Sequence, residues 1–229
     1  MRRIVFDIET CSFPFNTLSA SQQEYLLKYA EKESDPEKKQ QMTDEAIRYT
    51  SLYPFTAKCI VIGIYDIEKE KSYIYYESDD REEWQSEDGK TSYKGLSEKE
   101  MLESFWRIAK NINQFITFNG RSFDVPFLML RSALLKVKPS INLMAERYGS
   151  THIDLLEQLT FFGTTRKFNL DFYCNAFGIE SPKSKDISGM EVKNLYEAGR
   201  IKDIAVYCSK DIYATYQLFK IWDEYLKIK

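Results

Sequence analysis

The 229-residue chain has only four cysteines and a single histidine. Cys11, Cys59, Cys174 and Cys208 are never spaced as Cys-x-x-Cys, and His152 has no second histidine to pair with. Zinc sites of the finger or ribbon type are excluded on ligand count alone. Sparse, scattered thiols fit a reducing cytoplasm better than a disulfide-stapled secreted fold. No apolar run approaches the roughly 18 residues a membrane span needs. The two arginines opening MRRIVFDIET resemble the start of a secretory leader, but Asp7 and Glu9 interrupt the apolar stretch behind them. The expectation is a cytoplasmic protein with no membrane contact. Excess positive charge is missing too: Lys and Arg number 32 against 35 Asp and Glu, a net charge of −3. Proteins that hold nucleic acid by bulk electrostatics usually read basic, so such a contact here would be short and metal-mediated.

What is present supports a packed core: 43% hydrophobic and 29% charged residues. Residues 3–9, 59–66 and 72–76 read as strands, rich in β-branched and aromatic side chains. Between the first two, residues 18–50 are rich in Lys and Glu and break at Asp35-Pro36; they read as a helical insertion in two pieces, either a solvated helical hairpin or a substrate flap or partner surface. Residues 77–95 are acidic and aperiodic, an expected exposed loop. Ser97 followed by Glu100 matches a capping box, and Met101, Leu102, Phe105, Trp106, Ala109 and Ile112 continue at helical spacing. A strand over Phe115–Phe118, a turn at Asn119-Gly120 and a helix from about Phe123 to Leu135 come next. From Leu155 onward the chain reads as almost entirely helical, with joints at Gly163, Gly178, Gly189 and Gly199. This order gives one mixed α/β domain over 1–229, with a central sheet of about five strands, flanking helices and a helical C-terminal third.

The acidic residues carry the chemistry. Asp7 and Glu9 lie two apart within an apolar strand and so share a face. Asp-x-Glu recurs at Asp35/Glu37, Asp66/Glu68 and Asp80/Glu82, but only the first copy is embedded in a central strand. Asp211 is the single charge in the helical seam Ile201, Ile204, Cys208, Asp211, Thr215, Leu218, Trp222 and Tyr225, which points it inward. Tyr207 shares its face one turn earlier, as a core tyrosine or a functional one. Asp124 stands at a helix start, where a plain capping role would also suffice. Together the four acids have no neutral structural explanation, because like charges repel unless cations intervene. Hard oxygen ligands without His or Cys favour Mg²⁺ or Mn²⁺, and two such ions suit in-line displacement at phosphorus.

At this point the chain resembles the DEDD, or DnaQ-like, 3′–5′ exonucleases of ribonuclease H-like fold. FDIET at 6–10, FNGRSFD at 118–124 and YCSKD at 207–211 stand in family order. THIDLL at 151–156 and the run from Asn169-Leu170-Asp171 to YCSKD resemble the proofreading domain of family-B DNA polymerases and its stand-alone bacterial relatives. Tyr207, with Val at 206, matches the tyrosine branch rather than the histidine branch. The resemblance implies that Asp7, Glu9, Asp124 and Asp211 hold two divalent ions and that Tyr207 orients the attacking water. It also implies that Thr10, Asn119 and Phe123 contact the terminal nucleotide of a DNA 3′ end, single-stranded DNA first and RNA as an alternative. His152 and Asp154 match a recurring family segment and read as supporting the fold. Arg166, Lys167, Lys183 and Lys185 are candidate phosphate contacts or ordinary surface. A non-catalytic binding module on the same fold is the rival from another class.

Overall fold

The computed structural model describes residues 1–145, 147–181 and 191–227. Its frame is β1 (Arg3–Ser12), the two-piece helical segment α1 (Ala20–Leu27) and α2 (Pro36–Tyr49), then β2 (Ala57–Asp66), β3 (Lys71–Glu77), β4 (Glu83–Gln85) and β5 (Thr91–Leu96). There follow α3 (Glu98–Ala109), β6 (Gln114–Thr117), α4 (Asp124–Leu134), β7 (His152–Asp154), α5 (Leu155–Leu159), α6 (Leu170–Phe177), α7 (Val192–Glu197) and α8 (Ile201–Tyr225).

The strands form one mixed sheet in the order β4-β5-β3-β2-β1-β6-β7. β1 is central, antiparallel to β2 and parallel to β6. The α/β reading stands, but the sheet has seven strands rather than about five. The three strands that the sequence does not mark explain themselves locally. β4 and β5 lie inside the acidic stretch expected to be a loop; Trp84 and Tyr93 pair across them with rings stacked at 3.6 Å. β7 is three residues long, too short to leave a period.

Strand alternation in β1 divides the molecule into two cores. Ile4, Phe6 and Ile8 face Met101, Leu102, Phe105 and Trp106 of α3 and Val125, Phe127 and Leu128 of α4. Val5 and Cys11 face Ile204, Ala205, Cys208, Ile212 and Leu218 of α8. Full burial of each large aliphatic side chain contributes about 1.5–3 kcal/mol. Asp7 and Glu9 therefore stand on the α8 side. The expected seam of α8 is buried at Ile204, Cys208, Thr215, Leu218 and Trp222, whereas Tyr225 ends it exposed.

Capping signals set the helix starts. Ser97 and Glu100 close the expected capping box on α3. Asp35 accepts from the Glu37 and Lys38 N–H groups, with Pro36 in the first turn of α2. Gly178 ends α6 in the left-handed conformation; Gly189, another expected joint, lies outside the described residues. No helix among the described residues is long and apolar enough to cross a membrane.

Candidate functional site

β1 supplies the first two acids. A register shift between Glu9 and Thr10, which pair with Val61 and Cys59, leaves Ile60 as the extra residue of a bulge in β2. Such bulges re-aim side chains beside functional sites. Asp7 pairs directly with Gly63 of β2, and a Cβ added there would come within 2.7 Å of the Cys208 Sγ. The missing side chain of Gly63 is what lets α8 lie close enough to present its polar residues to β1. Cys208 donates its thiol to the Asp7 carbonyl oxygen and to Asp7 Oδ2, each at 3.9 Å.

Asp124 arrives from the other side of the strand. The Ile8 N–H donates to Asp124 Oδ1 at 3.0 Å. Phe123 occupies the N-cap position, with no side-chain cap, and Asp124 is the first residue of α4. The turn before it is fixed by Asp154, whose carboxylate accepts from the N–H groups of Asn119 and Arg121, both at 2.9 Å, and of Leu156 at 3.0 Å. Asn119 takes the left-handed region at φ 63°. Gly120 is required by contact: its Cβ would meet the Thr117 side chain at 2.5 Å. Thr117 in turn bonds His152 Nε2 at 2.9 Å. Burial lowers the His152 pKa to about 4, so the ring stays neutral at pH 7.

Electrostatics tie the four acids together. Burial pushes the Asp7 carboxyl well up, with the charges of Asp124, Glu9 and Asp211 adding to it. Glu9 rises by burial and then through Asp211 and Asp124. Asp124 and Asp211 are both raised to about 7, chiefly by burial; the Ile8 N–H opposes the shift at Asp124 and the Tyr207 hydroxyl opposes it at Asp211. Tyr207 itself is pushed above its ordinary value, by burial and then by Asp211 and Glu9, so it stays a phenol. Asp211 Oδ1 is buried without a hydrogen-bond partner.

Ligand atoms of Asp7, Glu9 and Cys208 all lie within 4.8 Å of one another. Asp124 and Asp211 flank this set rather than belong to it. The donors fit a hard divalent cation: carboxylate oxygens, mutual repulsion, and an orphaned carboxylate oxygen alongside. Cys208 does not add a soft ligand, because burial and then Asp7 raise its thiol well above the usual value and keep it protonated. Its place beside Asp7 was visible only as a seam position one turn before Asp211. The grip of Asp154 on the Asn119 turn left no sequence signal beyond the family segment.

Thr10 is buried and donates its hydroxyl to the Ser51 carbonyl at 2.7 Å, fastening the end of the α1–α2 segment to β1. The half-buried Phe123 ring lies 5.7 Å from that of Phe127. The Asn119 side chain is half-buried with no hydrogen bond to another described residue. Arg166 and Lys167 are exposed; Lys183 and Lys185 fall outside the described residues. A cavity of about 800 Å³ lined by Tyr65, Lys210, Tyr213 and Tyr216 opens on the other side of α8, and none of the candidate residues lines it.

Fold and site define an α/β protein with a carboxylate cluster on its central strand, closed by a turn-and-helix on one side and a long C-terminal helix on the other. Residues 84–225, more than half of the chain, match the family described as predicted 3′–5′ exonucleases related to the exonuclease domain of PolB, and the chain belongs to that family. It is 31% identical over 142 residues to a DNA polymerase of Desulfurococcus sp. (strain Tok), and 30% identical over 145 residues to one of Thermococcus gorgonarius. Each alignment covers 54% of this chain and 18% of the polymerase, so the chain matches under a fifth of those relatives. The family B DNA polymerase of Pyrobaculum calidifontis superposes with a TM-score of 0.61 at 15% identity, over 96% of this chain and 24% of that one. That likeness establishes the fold.

Proposed function

We propose that the chain is a metal-dependent 3′–5′ exonuclease that hydrolyses the terminal phosphodiester of single-stranded DNA by a two-metal mechanism, releasing nucleoside 5′-monophosphates. We read residues 1–229 as one exonuclease domain with an insertion at 18–50. The observation that carries the reading is the meeting of four carboxylates from three separate segments, FDIET, FNGRSFD and YCSKD: burial raises all four, and the charges of the other acids raise Asp7 and Glu9 further. A binding module gains nothing from such repulsion.

In this reading Asp7, Glu9, Asp124 and Asp211 hold two ions, Mg²⁺ or Mn²⁺. When bound, such ions lower the pKa of a water and stabilise charge on the departing 3′ oxygen. Tyr207 serves as an orienting hydroxyl for the attacking water; a phenol whose pKa is held up cannot serve as a general base at neutral pH. The Asp154 carboxylate holds the turn from which Asn119 and Phe123 reach the terminal nucleotide. Thr10 spends its proton on Ser51, so it meets the substrate through its remaining lone pairs or its backbone. Cys208 keeps Asp7 oriented with a weak donor.

The test is the product. A 5′-labelled single-stranded DNA with Mg²⁺ or Mn²⁺ should shorten as a ladder from its 3′ end, with nucleoside 5′-monophosphates in the supernatant and no cleavage in EDTA. Cleavage of matched RNA in place of DNA would move the substrate to RNA. Internal cuts, or nucleoside 3′-monophosphates, would contradict the reading.

A further inference from the structure

The segment joining α5 to α6, together with the first turn of α6, places large rings where core packing does not ask for them. Phe161 is 61% exposed, Phe162 38% and Phe172 51%. Phe161, Phe162 and Gly163 take consecutive positive φ values of 50°, 58° and 94°, a conformation that non-glycine residues avoid. The turn is held in it by hydrogen bonds. The Phe161 N–H donates to the Gln158 carbonyl at 3.1 Å, that of Phe162 to Glu157 at 2.7 Å, and that of Thr165 back to Thr160 at 3.1 Å. This last bond returns the chain to the base of the turn, so Arg166, Lys167 and Phe168 leave from beside it. Strain fixed at an exposed position is a mark of function rather than of packing.

Charge and connectivity point the same way. Residues 158–170 contain two cations and no acid, in a chain of net charge −3. Neither Arg166 nor Lys167 has an ion-pair partner among the described residues. The Arg166 guanidinium lies 5.2 Å from the Phe168 ring, which stacks on Phe172 at 4.0 Å and 9°. Phe168 also meets Tyr173 at 6.1 Å, and Tyr173 meets Phe118 at 5.8 Å. Phe118 directly precedes Asn119, so the patch is continuous with the carboxylate site.

We propose that Phe161, Phe162, Arg166, Lys167, Phe168 and Phe172 form the surface that carries the single-stranded polynucleotide upstream of its 3′ end. Bases stack on the rings, and the two cations neutralise backbone phosphates. The proposal rests on the exonuclease reading and deepens it. Stacking tolerates any base, which suits an enzyme that must advance along a strand irrespective of sequence.

The experiment measures anisotropy of a fluorescent twelve-nucleotide oligothymidylate with Ca²⁺, using the full chain and three variants. Phe161→Asn removes a ring while keeping a residue that accepts left-handed backbone; Phe172→Ala removes an exposed ring; Arg166→Ala with Lys167→Ala removes the charges. Each ring variant is expected to weaken binding about tenfold. The charge variant should also flatten the slope of log K against log salt by about 1.4, for two phosphate contacts on a single strand. Hydrolysis of the p-nitrophenyl ester of thymidine 5′-monophosphate, which fills only the carboxylate site, should be unchanged. Binding and salt slope equal to wild type in all three variants would overturn the proposal, as would an equal loss on both substrates. Should the wild type hydrolyse neither substrate while the variants still lose the oligonucleotide, the surface would stand and the exonuclease reading would fall.

Discussion

At the scale of residues, the site is a set of charges kept together against their own repulsion. Asp211 Oδ1 is buried without a partner, and the Asp211 carboxyl is raised to about 7. Asp211→Ala should therefore reduce cleavage to background without loss of fold, read by activity beside circular dichroism; retained activity would remove Asp211 from the machinery. Tyr207→Phe deletes only a hydroxyl. We expect kcat to fall about 10–100-fold, the scale of a misplaced reactant, with Mn²⁺ affinity unchanged in a calorimetric titration. A matching loss of metal affinity would make Tyr207 part of the ion site instead.

At the scale of elements, the decisive contact is α8 against β1 and β2. Gly63 leaves 2.7 Å between a would-be Cβ and Cys208 Sγ. Gly63→Ala should cost about 1–3 kcal/mol as overpacking and lower activity by displacing α8. Adding Cys208→Ala removes the colliding atom and should recover most of the melting temperature. If the double variant melts no higher than Gly63→Ala alone, the close approach is not what Gly63 provides. The same elements show what sequence made legible. The apolar strand around Asp7, the seam around Asp211, the capping box at Ser97 and the Asp35-Pro36 break all leave local patterns, and each is where it was expected. β4, β5 and β7 leave none: three residues have no period, and Thr91–Leu96 reads as polar because its order comes from pairing with β3. The Asp154 bonds to the Asn119 turn and the Thr10 bond to Ser51 join residues 35 and 41 positions apart, beyond any local signal.

At the scale of the whole molecule, burying four acids sets stability against function. Asp124 and Asp211 are raised to about 7 from the ordinary carboxyl value of 3.8, mainly by burial, so the fold binds more protons there than the unfolded chain. Their contribution to stability is present near pH 4 and lost as pH climbs through 7. Melting temperature in EDTA should fall between pH 5 and 8, and added Mg²⁺ or Mn²⁺ should restore it most at the alkaline end. A metal effect that is flat across this range would contradict the linkage. The central claim is that this repulsive cluster is the metal site that drives cleavage, and Asp7→Asn tests it most directly, since it removes one ionisable carboxyl from the cluster and puts a permanently neutral amide donor beside Asp124. Measured at pH 8, the metal-free variant should melt above the wild type, by about 2–4 °C for each kcal/mol of repulsion relieved, while losing both Mn²⁺ binding and 3′–5′ cleavage. Cleavage at the wild-type rate by a variant that has lost this carboxylate would contradict the account.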